Sequence, residues 1–212
     1  NDQVQSFDPF KKTGIIEEAM VTCILPYVKT AREAIARFAK IIKDHTAGES
    51  DGILFADPKE AWYFEIGTAH YWVAQRIPDD CYAVAANELA IQEIDFNDSD
   101  NFITAPGLQK FVEEHNLWPN NKPFNWRRIF GTHNLLDLTY NTARVWTGQR
   151  ILSPSIKQEP SSFDIPFIQK ADHPISITDA QRVLRDHYDG TKYDVANPVN
   201  KDTAVYRPIS VD

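Results

Sequence analysis

Asp51 to Phe96, DGILFADPKEAWYFEIGTAHYWVAQRIPDDCYAVAANELAIQEIDF, is the stretch whose reading decides the fold. It reads as a run of antiparallel strands. Ile53, Leu54 and Phe55 form a short apolar strand, stopped by a turn in which Pro58 fixes φ and Asp57 offers an Asx-type acceptor. Ala61 to Ile66 is a second strand, rich in the aromatics Trp62, Tyr63 and Phe64, which pack well on a pleated surface. Gly67 interrupts it and predicts a bulge or a close backbone approach. A third strand spans His70 to Ile77 and ends at Pro78-Asp79-Asp80; a fourth runs from Cys81 to about Asn87. Because strand side chains alternate faces, Cys81, Ala83, Ala85 and Asn87 share one face, so Asn87 ends a row of small residues. Such a row leaves room for a close neighbour to which the terminal amide can donate. The same pattern also fits a tightly packed layer that ends in a turn amide.

Working outward, Gly14 to Leu25 has helical character that Pro26 cuts or kinks. A stronger helix follows, opened by a capping box of Thr30 and Glu33, with Ala34, Ile35, Phe38, Ile41 and Ile42 at helical spacing. A helix packed on antiparallel strands is α+β architecture. Beyond Phe96 we expect a polar loop, a helix from about Pro106 to His115, and an irregular aromatic excursion, NLWPNNKPFNWRRIFG. Asn141-Thr142 then caps a helix near Ala143 to Leu152, and SPSIKQEPSSFDIPF makes an extended connection. A second capping box, Thr178 with Gln181, opens a helix that Gly190 closes, and the final AVYRPISVD is strand-like.

Composition narrows the function classes. The 212 residues suffice for a sizeable core, and 42% hydrophobic with 25% charged residues is ordinary globular composition. A net charge of −8 without a basic stripe argues against a nucleic-acid partner. No apolar run reaches the length of a membrane span and no leader is evident, so no membrane partner and a cytoplasmic location are expected. Cys23 and Cys81 lack metal-type spacing and read as buried free thiols of a reducing compartment, with a disulfide as the second reading.

The chemistry-bearing residues are few. Glu65 and His70 fall on opposite faces of a regular strand, and we assign both structural roles. The remaining histidines are scattered, so no metal site is expected. Asp95 to Asp100 resembles the start of a calcium loop, but it lacks the glycine at the sixth position and has Pro106 where the terminal glutamate belongs. We read it as a solvated loop or a helix cap. Neither cysteine has the base or positive neighbour that activates a thiol. Arg144 falls in the first turn of its expected helix, where the dipole disfavours a cation. Two readings stand side by side: a harmless wet surface charge, or an arginine aimed into a cleft to meet an anion.

Several long words in order resemble the dipeptidase A (PepD-type) cysteine dipeptidases, relatives of the secernins and, more distantly, of penicillin V acylase and bile salt hydrolase. They are EEAMVTCILPYVKTAREAI, the stretch from Glu49 through Phe96, YNTARVW, DHYDGTKYD and YRPIS. The resemblance implies an αββα sandwich of the N-terminal-nucleophile hydrolase type, acting on dipeptides with broad specificity and without a cofactor. In such enzymes a cysteine at the mature N-terminus attacks the peptide carbonyl, with its own α-amine as base. An asparagine helps form the oxyanion hole and an arginine completes the site. By position, Asn87 matches that asparagine and Arg144 the late arginine.

This chain begins with Asn1 rather than cysteine. On the resemblance, residues 1–212 form a single domain that is part of a larger one, with the nucleophile upstream. The 212-residue protein alone is then expected to be inactive, and a preceding segment or a homo-oligomer to cover exposed sheet edges. Two other classes compete. One is a non-catalytic binding module of the same fold that lost the nucleophile. The other is a carbohydrate-binding module using Trp62, Trp72, Trp118 and Trp126, although tryptophans more often anchor a core.

Overall fold

Asp57 shows how local chemistry locks neighbouring elements together. In the computed structural model, which describes residues 1–200 and 208–209, its Oδ1 accepts from the backbone N–H groups of Lys59 (2.7 Å) and Glu60 (3.1 Å). Its Oδ2 accepts from Ala31 N (2.8 Å), the first residue of a long helix. The N–H groups of Ala31 and Lys59 hold the Asp57 carboxyl below its usual range. One Asx turn thus joins a hairpin to a helix N-terminus, as the sequence implied for the hairpin half.

The strands in chain order are β1 (Gly52–Ala56), β2 (Ala61–Ile66), β3 (Trp72–Ile77), β4 (Cys81–Ala83), β5 (Phe102–Thr104) and β6 (Ile168–Lys170). The helices are α1 (Asp2–Gln5), α2 (Glu17–Ile24), α3 (Ala31–His45), α4 (Leu108–Glu114), α5 (Trp126–Phe130), α6 (Thr142–Leu152) and α7 (Ile177–Arg185). Every pairing among these six strands is antiparallel, and the architecture is α+β. Contacts divide the chain into two compact units: Asn1–Asp79 with Ile91–Gly131, and Asp80–Ala90 with Thr132–Asp212.

The first unit holds a four-stranded sheet in the order β1-β2-β3-β5. Register pairs Ile53 with Phe64 and Phe64 with Ala74. Alternation puts Trp62, Phe64 and Ile66 on one face, where they form one core with Ala34, Ile35, Phe38 and Ile42 of α3. Phe64 is central to it, 4.7 Å from the Trp72 ring and 5.0 Å from Phe38. The Thr30 hydroxyl caps α3 by accepting from Glu33 N at 3.1 Å, but Glu33 reaches back to Lys29 N (2.7 Å) and not to Thr30. Pro26 ends α2 in a short 3₁₀ turn, Leu25–Tyr27. Gly67 has the predicted close approach: a Cβ there would lie 2.7 Å from the rings of Trp126 and Phe130.

Several sequence expectations are corrected. The third strand starts at Trp72 because the His70 N–H is taken by the Asp8 carboxylate and Gly67 N donates to Tyr71 O in a tight turn. The fourth strand stops at Ala83 and pairs with β6 in a separate two-stranded sheet. The polar loop after Phe96 contains β5, and the aromatic excursion contains α5, which Asn125 caps through Arg128 N. The expected 106–115 helix is shorter, Leu108–Glu114, with left-handed Gly107 before it. The last capping box is Ser176 with Asp179, two residues before the predicted pair, and α7 ends at Arg185 ahead of Gly190. Most of AVYRPISVD lies outside the described residues; Ile209 is described and packs on the cluster of Tyr82, Ile151, Leu152 and Val183.

One carboxylate of the first unit opposes folding at neutral pH. Asp51 sits half-buried, and its Oδ2 has no hydrogen-bond partner among the described residues. Burial, reinforced by Glu49, Glu17 and Glu18, pushes its pKa from 3.8 up to about 6. The folded state therefore holds the proton more tightly than the unfolded chain, and stability falls as pH rises from about 4 through 6. Asp51→Asn is expected to stabilise the protein by about 1 kcal/mol at pH 7.5, after allowance for solvent screening. The gain should vanish near pH 4, and urea unfolding at the two pH values measures it.

Candidate active site

The second unit brings Asn87 and Arg144 together. Its organising element is a helix that begins earlier than the sequence suggested. Asn134 and Asp137 cap each other reciprocally: Asp137 N donates to Asn134 Oδ1 (3.1 Å) and Asn134 N to Asp137 Oδ2 (3.0 Å). Residues 135 and 136 are already helical, Asp137–Asn141 form a π-helical turn, and α6 continues to Leu152. Asn141 is therefore not a helix cap, and Arg144 lies about two turns inside a continuous helix. The unfavourable dipole inferred for Arg144 disappears with that correction.

Asn87 is also placed differently from its expectation. It lies in an exposed bend past the end of β4, not at the end of a strand face. The segment before it is pressed against α6. A Cβ on Gly148 would lie 3.1 Å from both Val84 methyls, and Val84 and Ala86 pack on the cluster of Ala143, Val145, Trp146, Ile165 and Tyr188. That close approach presents the Asn87 side chain to Arg144.

Arg144 is held on four sides. Its Nε donates to Tyr140 O (2.8 Å), and its Nη2 to Asn141 Oδ1 (2.7 Å) and Asn87 Oδ1 (2.9 Å). Its guanidinium also stacks over the Tyr140 ring at 3.9 Å. A guanidinium can only donate, so the Asn87 atom facing it must be the oxygen. The Asn87 Nδ2 is thereby turned away from Arg144, and its N–H groups have no partner among the described residues. Among the described residues Arg144 has no ion-pair partner, so its charge is not neutralised by a neighbouring carboxylate.

Other chemistry-bearing residues are engaged elsewhere. Fully buried Glu65 accepts from Trp126 Nε1 (3.0 Å) and Ile91 N (3.2 Å), while His70 Nδ1 meets Asp8 Oδ1 at 2.8 Å. Both residues have the structural roles assigned to them. The Asp95 and Asp98 carboxylates close turns on Asn97 N and Asn101 N. Trp62, Trp72 and Trp126 are core residues, which removes three of the four rings a sugar-binding face would need. Both cysteines are free thiols, half-buried where full burial was expected. Burial and the adjacent Asp80 carboxylate, 3.5 Å from Sγ, push the Cys81 thiol up, so it stays protonated at neutral pH.

Asp137 has no part in the sequence expectations, and Asn141 enters them only as a helix cap. The signals were present: an Asn-x-x-Asp capping pattern at 134–137, and an asparagine three residues before Arg144, one helical step away.

Comparison with known proteins decides the relationship. The family described as Peptidase family C69 matches residues 1–212, the whole chain. The chain belongs to peptidase family C69. Among family C69 relatives, a "Probable dipeptidase" of Latilactobacillus sakei is 47% identical over 212 residues, covering all of this chain and 45% of that protein. "Dipeptidase A" of Lactobacillus helveticus is 36% identical over 219 residues, covering all of this chain and 46% of that protein. "Dipeptidase" of Bifidobacterium longum is 33% identical over 241 residues. This C69 chain thus spans about half the length of the curated relatives it matches. Among its described residues, no helix is long and apolar enough to cross a membrane.

Proposed function

We propose that this chain forms part of the active-site wall of a cysteine-type dipeptidase. The observation that carries the reading is the Arg144–Asn87 hydrogen bond, which fixes the amide with its oxygen inward and its N–H groups outward beside an uncompensated cation. A free amide donor next to a positive charge is what an oxyanion hole requires. The names of the relatives, dipeptidase in each case, supply the substrate class.

In this reading the fold is an αββα N-terminal-nucleophile sandwich to which residues 1–212 contribute a part, and the compartment is cytoplasmic, consistent with two unpaired cysteines. Cys81, its thiol pushed up beside Asp80, is unsuited to attack; in this reading the nucleophile is a cysteine at the mature N-terminus, outside these residues. That cysteine's α-amine takes the thiol proton, and the thiolate adds to the peptide carbonyl carbon. The carbonyl π electrons move onto oxygen, where the Asn87 N–H groups donate and the Arg144 charge stabilises. Collapse expels the amine, which takes the proton back, and water hydrolyses the remaining thioester.

The test uses a chimera in which this chain replaces the matching segment of Lactobacillus helveticus dipeptidase A. The chimera is expected to release amino acids from dipeptides, and the 212-residue protein alone is expected to release none. A folded but inactive chimera, or thiol-dependent cleavage by the 212-residue protein, contradicts the proposal.

A further inference from the structure

Asp137 and Asn141 are both 4% exposed, and burial of a carboxylate and an amide is costly unless each is fully bonded. They satisfy one another in a fixed order. Asn141 Nδ2 donates to Asp137 Oδ1 at 2.8 Å, Asp137 Oδ2 is taken by Asn134 N, and Asn141 Oδ1 accepts from Arg144. A carboxylate only accepts and a guanidinium only donates, so the amide between them has one allowed orientation. The order then runs from Asp137 through Asn141 to Arg144 and on to Asn87.

The π-helical turn builds this chain. Residues 137, 141 and 144 recur at spacings of four and three and so line one helix face, while the wide turn is a feature that clusters at functional sites. Asn141 also separates two opposite charges. Asp137 reaches Arg144 only through a neutral amide, which orients the guanidinium without cancelling its charge.

We propose that Asn141, held by Asp137, is a positioning residue that fixes Arg144 and, through it, the direction of the Asn87 amide. The inference rests on the reading of Asn87 and Arg144 as oxyanion-stabilising groups. A displacement of about 1 Å in such a group costs about 100-fold in rate. Asn141→Ala in the chimera is therefore expected to lower kcat about 10- to 100-fold while KM changes less than about 2-fold. Because Asn141 acts through Arg144, adding Asn141→Ala to Arg144→Ala should cost less than about 3-fold more. An unchanged kcat, a loss confined to KM, or losses that multiply would overturn the proposal.

If the unsubstituted chimera shows no dipeptidase activity, the functional reading fails and the positioning role is judged separately. In the 212-residue protein, the Arg144 Nε–H resonance should exchange with water at least about tenfold faster in Asn141→Ala, since its neighbouring anchor is gone. Unaltered exchange overturns the positioning role. Should Asn141→Ala not fold, Asn141→Ser, which keeps a group able to donate to Asp137 while shortening the reach to Arg144, carries the same expectations.

Discussion

Asp186→Ala is expected to lower the stability of the protein by about 3 kcal/mol, because it breaks a buried charge pair and orphans two further donors. Asp186 opens the DHYDGTKYD word and is 4% exposed. Its Oδ2 accepts from the Thr147 hydroxyl at 2.6 Å and from Tyr188 N at 2.8 Å, while Arg150 Nη2 approaches Oδ1 at 3.2 Å. Loss of the carboxylate leaves Arg150 beside an apolar core, but its side chain keeps 30% exposure and can turn towards water. That escape places the cost at the lower end of the range for broken buried pairs. Asp186→Asn keeps one acceptor and should cost less. Chemical unfolding measures both, and a loss below 1 kcal/mol for Asp186→Ala would show that the network contributes little.

Asn87→Ala in the chimera is expected to lower kcat for dipeptides about 10²- to 10³-fold, the usual cost of one oxyanion donor. KM should change little, because the interaction forms only as the carbonyl oxygen becomes an anion. Asn87 is exposed and, among the described residues, its side chain is bonded through its oxygen to Arg144, so stability should move by less than about 0.5 kcal/mol on truncation. Arg144→Lys should also lower kcat. A lysine keeps the charge but cannot make the fork that reaches Asn87 and Asn141 together.

The legible parts of this fold were those fixed by neighbours in sequence. β1, β2 and α3 follow from strand alternation, the Thr30 cap and the Asp57 turn, all interactions within a few residues. β5 and β6 were missed because three residues carry no usable period, and each exists only through a partner strand distant in sequence. α5 hides in a stretch rich in proline and asparagine; the buried Glu65–Trp126 bond that anchors it spans 61 positions. Two overlapping cap patterns competed at 176–181, and Ser176 with Asp179 won.

The site was legible as two odd residues without a geometry. A terminal amide on a small-residue row and an apparently misplaced arginine both drew notice, yet the bond joining them spans 57 positions. Neither local placement matches the structure, since β4 ends before Asn87 and the helix starts before Arg144. The role of Asn141 is hidden in the sequence because the π turn shifts its phase, so that local pattern makes it a helix cap.

On the proposed function, the outward amide of Asn87 stabilises the oxyanion of a dipeptide under attack. Saturating kcat of the Asn87→Ala chimera on one dipeptide, beside the unsubstituted chimera, tests it most directly. The account predicts a fall of at least about 100-fold with KM nearly constant; an unchanged kcat in a folded chimera would contradict it.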